Sequence, residues 1–294
     1  MNLMDTALTG ISETALLDSQ SAPTGREKNV KPGIVMVAPD HFCVRYAINP
    51  WMNTDVQVDA KLALAQWQRL HDLIADSTDV QTISGDADLP DMCFSANAGL
   101  VSRGTFVTSR FRHAERQGEA ALFESWMQRN GFAISQLPPS IVFEGAGDAL
   151  FDSEGRLWLG YGQRSELRSA GPLSAMLETE VIPLELSDPR FYHLDTCFCP
   201  LRSGHVVFYP NAFTEQGVAA IKRFVPAPLR IEATREDAHL FACNMVEVGE
   251  AVIAYHVEDA LRNALRHAGY RVHTVDLGEF IKAGGGAKCL TLAI

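Results

Sequence analysis

The segment Gly33-Ile34-Val35-Met36-Val37-Ala38 is a short apolar run that ends at a Pro-Asp turn. An apolar run of this length, bounded by a turn, is typical of a strand that is buried on both faces. Apolar residues then recur at helical spacing, at Ala63, Trp67, Leu70 and Ile74. This spacing predicts an amphipathic helix after the first strand.

The same succession of strand and helix recurs along the rest of the chain. Further strands are predicted at 106–108, 157–160, 205–209 and 252–255. Helices are predicted through Leu122, Phe123, Trp126 and Met127, through Leu173, Met176 and Leu177, and from Asp259 to His267. About five such units, with no break in composition after residue 32, predict a single α/β domain of repeated modules. A doubly wound open sheet has the same periodicity, but no glycine-rich phosphate loop follows the first strand.

The composition is that of a soluble, enzyme-sized globular protein. Of the 294 residues, 47% are hydrophobic and 21% are charged. The net charge of −11, without a lysine or arginine run, argues against a nucleic-acid or anionic-membrane partner. No apolar run is long enough to span a bilayer, and residues 1–31 are predicted to be a disordered tail and not a secretory signal. The six cysteines are scattered, which predicts a reducing, cytoplasmic location.

Cys289 is the first candidate for chemistry. It lies between Gly284-Gly285-Gly286 and an apolar, strand-like segment, Leu290-Thr291-Leu292. An average cysteine in such a place is a small buried apolar residue. Three glycines let the backbone approach a ligand or adopt positive φ, which a plain strand does not need, so we favour a nucleophile. A free thiol has a pKa of about 8.5, so it would need a cationic neighbour or substrate to ionise at neutral pH.

Two upstream segments supply partners for such a thiol. Glu144 opens the glycine-rich bend Glu144-Gly145-Ala146-Gly147-Asp148, and His193 stands two residues before Asp195. Each has a plainer explanation, as a turn carboxylate or as a half-buried histidine at a strand start. If the second segment is extended, His193 and Asp195 project to the same side. A cysteine, a histidine and a glutamate in such settings are the arrangement expected of an activated cysteine nucleophile.

The cysteines and histidines show no ligand spacing typical of a metal site. Cys197 and Cys199 would share one face of a strand, but no second Cys or His pair lies at a zinc-like spacing. The nine histidines show no recognisable ligand pair either. We therefore predict core packing for these two cysteines, and neither a metal nor an organic cofactor.

Three longer strings resemble the amidinotransferase, or pentein, superfamily, which includes arginine deiminase and dimethylarginine dimethylaminohydrolase. They are Tyr46-Ala47-Ile48-Asn49-Pro50-Trp51-Met52, Pro90-Asp91-Met92-Cys93-Phe94-Ser95-Ala96-Asn97-Ala98-Gly99-Leu100, and the segment from Phe191 to Cys199. The resemblance implies a five-bladed α/β propeller of pseudo-fivefold ββαβ-type modules, with residues 32–294 as one catalytic domain. The strings look like the arginine dihydrolase branch, which also occurs fused ahead of an ornithine cyclodeaminase domain. Because the chain stops two residues after Leu292, we expect no such fusion here.

The resemblance implies a role for each matching residue. Cys289 is the nucleophile, His193 the general acid and base, and Glu144 the carboxylate that orients His193. The implied substrate-binding residues are Asn97, Asp195, Arg116, Arg164, Asn49 and Asp91. Of these, Asp195 accepts hydrogen bonds from the substrate guanidinium, and the two arginines bind the substrate α-carboxylate.

Asn97 stands where deiminases and the dimethylarginine enzyme have a guanidinium-binding aspartate. An amide donates as well as accepts, and the resemblance implies that this asparagine marks dihydrolases, which carry arginine past citrulline to ornithine, ammonia and CO2. The alternatives are a deiminase that stops at citrulline, a dimethylarginine dimethylaminohydrolase and, as a non-enzyme, a catalytically inactive sensor of guanidino compounds. The expected partner is a small molecule, L-arginine or a close analogue, and a homo-oligomer is compatible with the sequence.

Overall fold

The computed structural model describes residues 32–294, so the predicted tail at 1–31 lies outside the described residues. The strands are β1 (Gly33–Val37), β2 (Asp79–Ile83), β3 (Gly99–Ser102), β4 (Thr105–Thr108), β5 (Ala133–Gln136), β6 (Ala149–Phe151), β7 (Leu157–Tyr161), β8 (Val181–Glu185), β9 (Phe198–Pro200), β10 (Val206–Phe208), β11 (Arg230–Glu232), β12 (Val246–Val248), β13 (Ala251–Ala254), β14 (Arg271–Thr274) and β15 (Leu292–Ala293). The α-helices are α1 (Ala60–Ala75), α2 (Ala114–Gln117), α3 (Glu119–Arg129), α4 (Gly145–Asp148), α5 (Ala170–Leu177), α6 (Glu215–Phe224), α7 (Arg235–His239), α8 (Asp259–His267) and α9 (Gly278–Ile281).

The strands form five small sheets that share one topology. Each has three strands, in the orders β15-β1-β2, β3-β4-β5, β6-β7-β8, β9-β10-β11 and β12-β13-β14. In every sheet the first pair is antiparallel and the second pair is parallel. A helix connects each parallel pair, namely α1, α3, α5, α6 and α8. The prediction of repeated α/β modules is therefore confirmed.

The first strand of each sheet faces a common centre. A cavity of about 250 Å³ is lined by one or more residues from each of these five strands. Representative lining residues are Leu100, Leu150, Phe198, Val246 and Leu292. We call β3, β6, β9, β12 and β15 the inner strands. Their arrangement excludes the doubly wound open sheet, in which strands of one continuous sheet lie side by side.

A short turn precedes each inner strand, and these turns contact one another. The Ala96 N–H donates to the Cys289 carbonyl at 3.1 Å, and the Lys288 N–H donates to the Asn244 carbonyl at 3.2 Å. The Leu194 N–H donates to the Asp148 carboxylate at 3.1 Å. Because all five inner strands begin near the same end of the central cavity, side chains far apart in sequence are gathered there.

The predicted helices form, with one error in the predicted inward face of α3. Phe123 and Met127 are fully buried, but Leu122 is 39% exposed. The residue one turn before Phe123 on the inward face is Glu119, which is buried because it pairs with Arg116. A buried ion pair thus takes the place that the apolar pattern assigned to a leucine. Among the helices of residues 32–294, none is long and apolar enough to cross a membrane.

Strand β15 pairs with β1, and Leu292 is its buried residue, 1% exposed. We predict that Leu292→Ala lowers the free energy of unfolding by about 2–4 kcal/mol, because it leaves a cavity in a packed core. The neighbouring Ala293 is exposed, so Ala293→Ser is the matched control and should change stability by less than about 0.5 kcal/mol. Urea unfolding measures both values. Equal effects of the two substitutions would contradict the assigned register.

Candidate active site

Cys289 lies in the turn before β15 in a polar setting, although its side chain is only 2% exposed. The Asn244 side-chain amide donates to Cys289 Sγ at 3.1 Å. The Cys289 thiol in turn donates to the Asp195 carboxylate, with 3.6 Å between Sγ and the nearer oxygen. Burial, followed by the charge of Asp195, raises the pKa of the Cys289 thiol well above its usual value. The thiol is therefore protonated at neutral pH until another positive charge approaches it.

Asp195 belongs to the one-turn helix Leu194–Thr196, which precedes β9. The segment is therefore not extended, which was the condition for His193 and Asp195 to project to the same side. The turn still keeps Asp195 and His193 in the same buried region, because both side chains are 1% exposed. Burial raises the pKa of Asp195 to about 7, against the opposing effects of Lys288, Cys289 and Asn244.

His193 is held by two buried partners. Its Nε2 lies 2.7 Å from the Glu144 carboxylate, and its Nδ1 lies 3.3 Å from the Asn97 amide nitrogen. Because an amide nitrogen only donates, the contact with Asn97 favours an unprotonated Nδ1 and a proton on Nε2. Nδ1 is therefore the imidazole nitrogen that is left to accept a proton.

Glu144 is completely buried and is shared by three donors. Its carboxylate accepts from Arg164 Nη1 at 3.0 Å, from His193 and from the Arg112 N–H at 2.9 Å. Burial alone would raise the pKa of Glu144, but Arg164, His193 and the Arg112 amide outweigh it and hold the pKa far below its usual range. Glu144 is thus a permanent carboxylate that fixes the orientation of the His193 imidazole through Nε2.

Arg116 fixes the orientation of the Asn97 amide. Its Nη1 donates to Asn97 Oδ1 at 2.8 Å, which leaves the amide nitrogen to face His193. The rest of its guanidinium makes a bidentate pair with Glu119, at 2.7 and 2.8 Å. The carboxylate that pairs with Arg116 in this structure is therefore a side chain of the protein itself. Binding of a substrate carboxylate by Arg116 stays a prediction.

Arg164 is likewise paired inside the protein. Besides the contact with Glu144, its Nη2 donates to the Ile48 carbonyl at 2.8 Å, and its guanidinium stacks 4.8 Å from the centre of the Tyr192 ring. The contact with Ile48 reaches the segment of Asn49, whose amide donates to the Ala283 carbonyl at 3.0 Å. Asn49 therefore anchors the glycine run that leads to the thiol.

Asp91 completes the set of predicted residues. It is 2% exposed, and its carbonyl accepts from Arg116 Nη2 at 3.2 Å. Its Oδ1 atom and the Tyr46 hydroxyl are buried without a hydrogen-bond partner. Burial raises the pKa of Asp91, although the charge of Arg116 opposes it. All nine predicted residues are thus brought to one region.

The glycines of the Glu144-Gly145-Ala146-Gly147-Asp148 bend allow this close assembly. A Cβ on Gly147 would overlap the Asn97 amide nitrogen. Gly145 has φ of +59°, and a Cβ there would lie 2.6 Å from the Gly99 carbonyl oxygen. The bend is therefore glycine-rich because neighbouring modules touch across it.

Two buried polar residues in this region were not assigned from the sequence. Asp148 accepts from the Ser165 hydroxyl at 2.6 Å and from the Leu194 N–H, so it joins the bend to the turn that carries His193. Asn244 contacts the thiol itself. The signal for Asp148 was its place in the bend. The signal for Asn244 was its place two residues before an inner strand, which Asn97 shares.

This arrangement is suited to covalent chemistry by a cysteine. It combines a thiol beside an acid with an imidazole whose unprotonated nitrogen, Nδ1, can accept a proton. Within residues 32–294, no group of three or more His, Cys, Asp or Glu side chains could hold a metal ion.

The raised pKa of Asp195 predicts a pH-dependent stability. The usual pKa of Asp is about 3.9, so between pH 4 and 7 the folded protein retains a proton that the unfolded chain has lost. The free energy of unfolding therefore falls as pH rises through this window. Asp195→Asn should remove this loss and stabilise the protein at pH 8 by up to about 4 kcal/mol.

Chemical unfolding at pH 4 and pH 8 measures this effect. Asp55→Asn, at an exposed aspartate, is the control and should leave the pH dependence unchanged. A protein that Asp195→Asn destabilises at pH 8 as much as at pH 4 would contradict the assignment.

The chain is similar to known proteins over most of its length. A model of the family N,N dimethylarginine dimethylhydrolase, eukaryotic, matches residues 38–294. The bifunctional arginine dihydrolase/ornithine cyclodeaminase ArgZ of Synechocystis sp. is 48% identical over 263 residues, which are 89% of this chain and 37% of ArgZ. The N(G),N(G)-dimethylarginine dimethylaminohydrolase of Mycobacterium tuberculosis is 38% identical, over 88% of this chain and 84% of its own length.

Solved structures give the same relationship. Two crystal structures of the N-terminal domain of ArgZ have a TM-score of 0.87 and 46% identity to this chain and cover 90% of it. One is a cysteine-to-serine variant bound to substrate, and the other, an asparagine-to-serine variant, is covalently bound to a reaction intermediate. The chain spans little more than a third of full-length ArgZ. The chain belongs to the dimethylarginine dimethylaminohydrolase family of the amidinotransferase superfamily.

Proposed function

We propose that the chain hydrolyses the guanidinium group of L-arginine through a covalent intermediate on Cys289 and releases ornithine, ammonia and CO2. The observation that carries the proposal is the Cys289 thiol, 3.6 Å from the Asp195 carboxylate and next to the turn that holds the Glu144-bound His193. The 48% identity to a bifunctional arginine dihydrolase supports this substrate and product.

The substrate itself supplies the charge that the thiol lacks. Asp195 ionises when it accepts hydrogen bonds from the guanidinium, and the bound cation lowers the pKa of the neighbouring thiol. Sγ of Cys289 attacks the guanidinium carbon, and the thiol proton passes through His193 Nδ1 to the departing nitrogen, which leaves as ammonia. His193 Nδ1 then deprotonates a water that attacks the carbon of the covalent thiouronium. The C–S bond breaks as the citrulline carbonyl forms, Sγ of Cys289 leaves and takes a proton back from His193 Nδ1, and the second proton of the water is released to solvent.

A second hydrolysis of the retained citrulline consumes one more water and yields ornithine, CO2 and a second ammonia. Citrulline is neutral, so a site with two carboxylates facing the substrate would favour arginine and release the intermediate. Asn97 places a neutral amide where the deiminase pattern has a carboxylate. With Asp195 as the facing carboxylate, the site discriminates less between charged arginine and neutral citrulline.

The two arginines support the site in different ways. Arg164 holds Glu144, and Arg116 holds Asn97. Their remaining N–H groups are the proposed anchors for the substrate α-carboxylate, while Asn49 and Asp91 shape the pocket next to them. This arrangement favours an α-amino acid over a guanidino compound without a carboxylate.

Hydrolysis of dimethylarginine is the second candidate function. The matching family model and the 38% identity to the M. tuberculosis enzyme favour it. The two functions share the nucleophile and differ in whether a methylated nitrogen leaves as an amine. Asn97 favours the dihydrolase.

We also propose that residues 32–294 form a single catalytic domain with the architecture of a five-bladed propeller. The five sheets of equal topology around one central cavity support this architecture. All six cysteines are free thiols, which supports a reducing compartment such as the cytoplasm. An assembly into homo-oligomers stays a prediction.

The first test identifies the products that the purified protein forms from L-arginine, citrulline and asymmetric dimethylarginine. We expect ornithine from the first two. His193→Ala should lower kcat by about 10²–10⁴-fold, because a positioned acid and base is lost. His267→Ala, at an exposed histidine, is the control and should keep the wild-type rate. If the protein released a methylamine from dimethylarginine but formed no ornithine from arginine, the dihydrolase proposal would be refuted in favour of dimethylarginine hydrolysis.

The second test changes the product. Asn97→Asp should make citrulline the main product, because the added carboxylate favours the charged substrate and releases the neutral intermediate. Asn263→Asp, at an exposed position, is the matched control and should still give ornithine. Amino-acid analysis after complete consumption of arginine measures the ratio. Ornithine as the main product of Asn97→Asp would refute the role of Asn97.

A further inference from the structure

Asn244 belongs to the module of β12, β13 and β14, for which the sequence predicted no site residue. The other four modules supply at least one predicted residue each, among them Asn97, Glu144, His193 and Cys289. Asn244 lies two residues before β12, and its side chain is 0% exposed. Its position completes the ring of turns around the thiol.

The amide of Asn244 uses all of its hydrogen-bonding capacity. Its Nδ2 donates to Cys289 Sγ and to the Asp195 carbonyl, both at 3.1 Å. Its Oδ1 accepts from the Gly286 N–H at 3.1 Å and from the Cys289 N–H at 3.2 Å. If the amide were flipped, its oxygen would face two acceptors and its nitrogen would face two donors. The three contacts that do not involve sulfur therefore fix an N–H toward Sγ.

We propose that Asn244 is a catalytic residue, whose amide donates a hydrogen bond that stabilises the thiolate of Cys289 during nucleophilic attack and again when the thiolate leaves. This inference rests on the proposed role of Cys289 as nucleophile and not on the identity of the substrate. The same amide also sets the position of Sγ, because it binds the main chain of Gly286 and Cys289.

The need for such a donor follows from the surroundings of the thiol. Burial and the nearby Asp195 carboxylate both disfavour the thiolate. A preorganised N–H offsets part of this cost, because a hydrogen bond to a charged acceptor is stronger than one to a neutral acceptor. Gly286 has to be a glycine in this arrangement, since a Cβ there would lie 2.8 Å from Asn244 Oδ1.

The test measures the alkylation of Cys289 by iodoacetamide as a function of pH, followed on the peptide that contains Cys289 by mass spectrometry. Asn244→Asp keeps an oxygen for the Gly286 and Cys289 amides and replaces the donor to sulfur. We expect the alkylation midpoint to move to higher pH and the rate at pH 7 to fall by about 10- to 100-fold, the range for loss of one hydrogen bond to an anion.

Asn244→Ala should show a shift in the same direction. Gln66→Ala is the matched control, because Gln66 is another buried amide that binds a backbone N–H, of Glu279, away from the thiol. Its alkylation profile should equal that of the wild type. A wild-type profile in both Asn244 variants, with native circular dichroism, would overturn the inference.

If neither Asn244 variant folds, NMR spectroscopy of the wild-type protein tests the inference. The side-chain amide resonances of Asn244 should shift with pH along the same titration curve as the alkylation of Cys289, and this shift should vanish in Cys289→Ala. Resonances that do not follow this curve would overturn the inference. Because alkylation requires no arginine, a protein with the expected shift but without arginine turnover would overturn the proposed function alone.

Discussion

The antiparallel pairing of β15 with β1 is the contact on which the site depends. Every other predicted site residue precedes residue 200, whereas Cys289 lies three residues before β15. Main-chain hydrogen bonds between Gly33 and Ile294, at 2.9 and 3.0 Å, close the first sheet and carry the thiol to the other modules. Because the turns before the inner strands contact one another, this pairing places the thiol beside the site residues of the other modules.

Charge pairing then decides which groups stay ionised in this buried region. Glu144 is ionised because Arg164 and the His193 imidazole share its carboxylate, whereas Asp195 has a pKa raised to about 7 by burial. The site thus combines a permanent carboxylate, Glu144, which orients the imidazole, with two groups, Asp195 and Cys289, whose ionisation a nearby cation would favour. In the proposed mechanism a guanidinium substrate supplies that cation, so substrate binding and activation of the thiol are one event.

The sequence predicted the modules because apolar runs and helical spacing are local signals, as in β1 and α8. It singled out Cys289, His193 and Glu144 as candidates because each stands in an unusual local setting that also resembles a known superfamily, and the structure places them in one region. It did not single out Asn244, whose contact with Cys289 spans 45 residues and exists only once the turns before β12 and β15 pack together. The apolar face of α3 was misassigned at Leu122, because the inward position is held by Glu119 through a buried ion pair that hydrophobic periodicity does not register.

The proposed covalent bond between Cys289 and the substrate carbon can be trapped and identified. The protein is mixed with L-arginine, quenched with acid during steady-state turnover, and the peptide that contains Cys289 is analysed by mass spectrometry. We expect a peptide whose mass is increased by that of arginine minus ammonia, on Cys289 and on none of the other five cysteines. Turnover at the full rate with Cys289 replaced by serine and no adduct in the wild type would contradict the proposed bond.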